Sequence, residues 1–313
     1  MSKEYYFVKP TKAVQLGHLY EHLVMIEVVN ALKNHGLYEH VDYSVVGKVY
    51  RGGMIYIDCS LYTELSLDFA KLMRNIKIDY DKWLDIAISM IHAEHRNEPK
   101  LDDRETVIRH LKTLHAKPWT ELDNLGIVDA SEFEDKPKAI ESDDKSIEKV
   151  KVDKLSLTVR LNNHQQNAAI GVLSSQVLKI VQLNAGEEIS NQFGLFSYYD
   201  YFDVNEKQCK LTNVYIVGNI KPDIKKCLET SISMYETLKE NGVFERLLNQ
   251  LQNLDLAKNA ELFPNFENNY ERTMVFVGSK GWKEAATKEN LNAILNDLTL
   301  EIKMGKSKVT KKL

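Results

Sequence analysis

The sequence predicts an α+β protein of two units, and three observations predict it. Strand-type and helix-type segments come in blocks rather than in regular alternation, which suits α+β units and not one doubly wound sheet. Between residues 129 and 154 the composition turns acidic, lysine-rich and poor in aromatics, as a surface connection between domains does. A length of 313 residues suits two domains of similar size. The boundary is expected near Val150, giving units 1–150 and 151–313.

The elements follow from periodicity. Leu19, Leu23, Ile26 and Ala31 recur at helical spacing and Gly36 stands where a helix ends, so residues 16–34 are expected to be a helix. Residues 43–61 are rich in Val, Ile and Tyr around Arg51-Gly52-Gly53, the pattern of two strands joined by a tight turn. Helical patterns follow at 64–74, 81–97 and 104–115, punctuated by Pro99 and Pro118. In the second half, 155–161 and 211–220 read as strands and 168–184 as a helix. A long helix is expected to start with Pro222 in its first turn and stop at Gly242, and another to run over 244–261.

Composition bounds the function more weakly. With 27% charged and 43% hydrophobic residues the chain has the profile of an ordinary globular protein. A net charge of -4 and a pI near 6.2 give no support to a nucleic-acid partner. The lysines at 303, 306, 308, 311 and 312 read as a solvated terminus. Cys59, Cys209 and Cys227 are scattered and lack CxxC spacing, which favours a reducing compartment over a disulfide framework. No run approaches the roughly 20 apolar residues of a membrane span, so the expectation is a cytoplasmic, soluble protein with no membrane partner. Neither GxGxxG nor GxxxxGK[ST] occurs, so nucleotide chemistry has no support.

Chemistry concentrates in Gly17-His18-Leu19-Tyr20-Glu21-His22-Leu23, an H-x-x-E-H sequence on the first expected helix. Residues four apart share a helix face, so His18 and His22 can present imidazoles to one ion, with Glu21 beside them. The same residue types in the opposite order make the H-E-x-x-H zinc site, so the pattern is chemically equivalent read backwards. Chance alone yields on the order of 0.02 such patterns in a chain of this size. A catalytic zinc ion takes three protein ligands and keeps one position for water, so a carboxylate from elsewhere must complete the set.

Glu94, on the apolar stripe of Trp83, Ala87, Met90 and Ile91, is the first candidate. Glu98 is the competitor, but it precedes Pro99, where helical geometry is disfavoured. Zinc on His18, His22 and Glu94 would lower the pKa of a bound water towards about 7, and Glu21 would serve as general base. His92, His95, His110 and His115 stay outside the ligand set, since a lone helical histidine is more often a surface or core group. His92 or His95 could serve as a partner to a ligand.

Around these residues the chain resembles the pitrilysin and insulinase family of inverted-motif zinc peptidases, which includes the mitochondrial processing peptidases. The helix motif matches at Gly17, His18, Glu21, His22 and Leu23, and Ala93-Glu94-His95 is similar to the family segment that supplies the third ligand. The resemblance implies two homologous-type α+β domains, each an antiparallel sheet with helices packed on it, with the zinc site in the first and a substrate-binding or structural role for the second. Residues 192–199 and 214–251 are similar to the family's non-catalytic domain. Members often carry an Arg and a Tyr there that hold substrate. The chain offers Tyr198, Tyr199 and Tyr201 and no matching Arg.

The implied activity is a zinc metalloendopeptidase acting on peptides or unfolded segments, as a homodimer or as a heterodimer with a related subunit. The alternative, motivated by the missing Arg and by spacing from His22 a few residues shorter than usual, is a weak or inactive subunit that binds or scaffolds.

Overall fold

A computed structural model describes residues 3–50, 53–62, 67–94, 103–122, 153–162, 168–193, 196–204, 209–217, 222–253 and 282–313. Contacts divide the chain into two compact units, Met1–Lys151 and Val152–Leu313. Both are antiparallel sheets with helices packed on them, so the architecture is α+β.

In the first unit β1 (Lys3–Pro10) leads into α1 (Val14–Asn34), followed by the hairpin of β2 (Tyr43–Tyr50) and β3 (Met54–Leu61). Then come α2 (Phe69–Asn75), α3 (Tyr80–Glu94), α4 (Arg104–His115) and the short β4 (Thr120–Leu122). The strand order is β2-β3-β1-β4. Gly53, at φ +86°, makes the hairpin turn that the glycine pair implied. Along β3 the pleat sends Ile55, Ile57 and Cys59 into the core beneath the helices and Tyr56 to the opposite face beside Tyr6 and Val8.

Strand β1 is not among the elements expected from periodicity, which begin at residue 16. Eight residues of register with β3 make it a central strand, and its own alternation puts Phe7 on the helix side and Tyr6 on the other. Helix α2 also starts later than the pattern at 64–74 suggested. The Asp68 carboxylate accepts the Lys71 N–H at 2.8 Å and caps it.

In the second unit the order is β5 (Asp153–Leu161), α5 (Ala168–Phe193), β6 (Phe196–Val204), β7 (Cys209–Val217), α6 (Ile224–Glu240) and α7 (Val243–Asn253). After these stand α8 (Trp282–Ala285), α9 (Lys288–Leu295), β8 (Leu298–Met304) and β9 (Ser307–Lys312). The strand order β6-β7-β5-β8-β9 repeats the connectivity of the first unit and adds β9.

Three expectations are corrected here. Pro222 precedes the helix, because Asp223 accepts the Lys225 N–H at 2.9 Å and becomes the cap of α6. Helix α5 runs nine residues past its expected end at Asn184, since Ala185 and Ile189 continue its buried face. The lysine-rich tail is a hairpin: Leu298, Leu300 and Ile302 of β8 are buried against the sheet, while β9 forms its exposed, lysine-studded edge. The expected helix over 244–261 is α7 as far as Asn253, and 254–261 lies outside the described residues. Among the described residues no helix is long and apolar enough to cross a membrane.

What positions the functional groups is α1. Leu19 through Val24 are buried without interruption, so this helix is enclosed on more than one side rather than laid on a surface. Its start is tied to the hairpin turn by the Thr11 N–H, which donates to the Gly53 carbonyl at 2.7 Å.

Beside α1, Lys9 of β1 is fully buried, and among the described residues no carboxylate pairs with it. Burial, and then the charge of Lys117, lower its amine from 10.5 to about 8. Between those values the unfolded chain holds the proton and the folded chain does not, so this group makes stability rise with pH from about 8 upward. Urea midpoints of wild type should therefore climb between pH 8 and 9 relative to those of Lys9→Met. Ionisable groups remote from Lys9 are common to both proteins and cancel in the comparison; parallel curves would refute the buried charge.

Candidate metal centre

Helical geometry brings His18, Glu21 and His22 together. Three and four residues of separation place their side chains on adjoining parts of one face of α1. The two Nε2 atoms lie 3.1 Å apart, with ring centroids at 4.7 Å and planes tilted by 39°. Glu21 Oε2 stands 3.9 Å from each of those nitrogens. One ligand atom from each of the three residues lies within 4.8 Å of those of the other two.

Burial gives this convergence its chemical weight. The side chains of Glu21 and His22 are 7% and 8% exposed and that of His18 is 16%, so the group reaches solvent mainly past His18. A buried carboxylate beside two imidazoles is costly unless charge or hydrogen bonds compensate it. At 3.1 Å the two ring nitrogens either share one proton as N–H···N or turn both lone pairs to one cation. Tetrahedral zinc, at about 2.0–2.1 Å from each imidazole, sets two such nitrogens about 3.3 Å apart, so the pair fits that ion. A third ligand would stand at a similar separation. Glu21 Oε2, at 3.9 Å from both, lies beyond it and close enough to act on something held there.

The sheet supplies a contact that the motif does not contain. Gly47 of β2 faces α1, and a Cβ built on it would come 1.7 Å from Glu21 Oε1 and 2.6 Å from its Cδ. The missing side chain is the room in which the carboxylate rests. Gly17, one residue before His18, plays a similar part for Thr11, whose Cγ2 would lie 2.7 Å from an added Cβ. A lone glycine inside the β-branched run of β2 was the available sign of such a close approach.

The remaining expected residues are placed as follows. Glu94 is the last residue of α3, and its side chain lies outside the described residues, as do all of Glu98 and His95 and the side chain of His92. His110 is exposed on α4. His115 accepts or donates at 2.9 Å with the Tyr20 hydroxyl through Nδ1, away from the metal group. Tyr198, Tyr199 and Tyr201 belong to β6 of the second unit. Tyr199 pairs with Val214 and Tyr201 with Thr212, Tyr198 falls at a register shift, and their side chains lie outside the described residues.

No family model and no curated protein matches this chain. Among solved structures it is similar to a protease from Helicobacter pylori, at 12% identity over 96% of this chain and 94% of that one, with a TM-score of 0.30. It is also similar to the first half of the periplasmic protease PqqL from Escherichia coli, at 12% identity over 95% and 85%, again at 0.30. Pitrilysin is matched at 11% identity over 99% of this chain and 44% of its own length, at 0.26. Of full-length PqqL the chain spans 41%. Superpositions that loose transfer neither a residue role nor an activity.

The glycine contact is testable by itself. Gly47→Ala should cost about 1–3 kcal/mol of stability by overpacking against Glu21. In a Glu21→Ala background the same substitution should cost close to nothing, so a double-mutant cycle should show strong coupling. Additive effects would place the Glu21 carboxylate elsewhere.

Proposed function

We propose that this chain is a zinc-dependent peptidase with His18 and His22 as ligands and Glu21 as general base. The observation that carries the reading is the buried pair of Nε2 atoms 3.1 Å apart with a carboxylate oxygen 3.9 Å from both. Glu94 is the third ligand in this reading, ahead of Glu98, because it is helical on α3 while Glu98 precedes Pro99. When bound, zinc supplies a Lewis acid that acidifies water and polarises an amide carbonyl.

The chain's own groups do the rest. The imidazoles of His18 and His22 hold the ion through neutral Nε2 lone pairs. Glu21 takes one proton from the attacking water on its carboxylate and delivers it to the nitrogen of the leaving amine, returning to its ionised form. The neighbouring β2 gives the site a way to hold substrate. Among the described residues β2 has β3 as its one ladder partner, and past the Glu39–Tyr43 bridge at its start the other edge offers backbone N–H and C=O groups near Gly47 and Glu21. An extended peptide adding to that edge gains main-chain hydrogen bonds with little demand on side chains, which selects unfolded segments over folded proteins. Tyr198, Tyr199 and Tyr201 of the second unit are the further substrate-binding residues of this proposal. Two copies of the chain, or one with a related subunit, form the working dimer.

The decisive measurement is zinc content together with cleavage of a peptide library, run with any co-purifying partner retained. Wild type should hold about one zinc per chain, and Glu21→Gln should keep the metal while losing cleavage by about 10²–10⁴-fold. Cleavage by Glu21→Gln at the wild-type rate would remove Glu21 as the base. Zinc bound without cleavage in any combination would leave the alternative, a binding or scaffolding subunit. Glu94→Gln should lose zinc and Glu98→Gln should keep it; the reverse result would exchange the two carboxylates.

A further inference from the structure

Tyr20 directly precedes Glu21 on α1 and is fully buried. Its hydroxyl accepts from Lys9 Nζ at 3.0 Å and lies 2.9 Å from His115 Nδ1. The Lys9 amine also donates to the carbonyls of Leu114 at 3.3 Å and His115 at 3.2 Å, the last two residues of α4. An ammonium has three N–H donors, and three oxygens receive them. The arrangement is directional. With Lys9 donating, the Tyr20 hydroxyl keeps its own proton for His115 Nδ1, which must then be an acceptor in a neutral ring. The aromatic walls match the charge, with Nζ 4.7 Å from the Trp119 ring centroid and 4.9 Å from that of Tyr20.

Packing alone does not call for a lysine here. A methionine fills the same length without the cost of burying a cation, and buried ionic groups repay that cost best where they fix one arrangement among several. The arrangement fixed here is the rotation of α1. Three elements meet at the Tyr20 hydroxyl: β1 through Lys9, α4 through His115 and the carbonyls, and α1 itself. Consecutive residues stand about 100° apart around a helix, so holding Tyr20 holds Glu21 and His22. A rotation of about 15° would move side-chain tips about 5–6 Å from the axis by about 1.5 Å. That displacement would carry the Glu21 carboxylate out of the space that Gly47 of β2 leaves for it, and would turn the whole trio relative to the sheet.

We propose that Lys9 and Tyr20 are positioning residues for the metal centre: the Lys9 ammonium orients the Tyr20 hydroxyl, and Tyr20 sets the rotation of α1 against β1, β2 and α4, which aims the trio of His18, Glu21 and His22, already gathered by helical spacing, beside Gly47. Neither residue touches the reacting atoms. The catalytic consequence rests on the peptidase reading, whereas the geometric one stands without it.

The test separates the two. Tyr20→Phe keeps the ring and removes the hydroxyl, and Lys9→Met keeps the length and removes the donors. In metal-free protein labelled with 15N at histidine, both should shift the ring-nitrogen signals of His18 and His22, while exposed His110 stays put. In cleavage assays both should lower kcat by about 10²-fold with KM unchanged, the mark of a displaced reacting group rather than lost substrate binding. The double variant should be no worse than the worse single one, because the two act as one unit. Should Lys9→Met fail to fold, Tyr20→Phe carries the test. Unmoved His18 and His22 signals in folded Tyr20→Phe would overturn the proposal. Shifted signals in a protein that cleaves nothing would uphold it and sink the peptidase reading instead.

Discussion

Burying polar groups on a central helix is the constraint on which the first unit depends. From Leu19 to Val24 α1 has no solvent-facing side, yet Glu21 and His22 lie in that stretch and His18 immediately precedes it. Isolated, each would carry an uncompensated desolvation cost. Together they converge within 4.8 Å, where a proton shared between imidazoles or a bound cation meets the cost. The rest of the unit reads as accommodation to that convergence: a glycine on β2 leaves space for the carboxylate, a glycine on α1 admits Thr11, and a buried ammonium holds the neighbouring tyrosine.

The second unit shows what the same connectivity is without such groups. Helix α5 occupies the corresponding place in the chain order and is likewise deeply buried, but the buried polar residues it carries are Ser174, Ser175, Gln182 and Asn184, all uncharged. Ser175 Oγ donates to the Val172 carbonyl at 2.8 Å and Asn184 Nδ2 donates to that of Ile180 at 2.8 Å, both bonds lying within the helix itself. Topology is therefore separable from chemistry in this protein, and the difference lies in which residues the central helix carries.

Much of this was legible in the chain. Periodicity located α1, α3, α4 and the β2–β3 hairpin, because their apolar residues recur at 3.6 or 2 and Gly36 and Gly53 mark their ends at positive φ. Helical spacing alone required His18, Glu21 and His22 to share a face. β1 and β8 were missed because each becomes a strand by pairing with a partner far along the chain, and the lysine-rich β9 because it is a strand only as the hairpin partner of β8.

What local sequence determined, then, was the helix and the trio of groups it presents, since both depend on contacts within one turn. Tertiary structure alone decided what surrounds them. Gly47 meets Glu21 from 26 residues away, and Lys9 reaches carbonyls 105 and 106 residues distant, in a place where an alternating strand pattern offers no sign of a buried cation. Contacts of that separation leave no periodic trace, because they arise from how the sheet and helices close upon one another rather than from the conformation of any one segment.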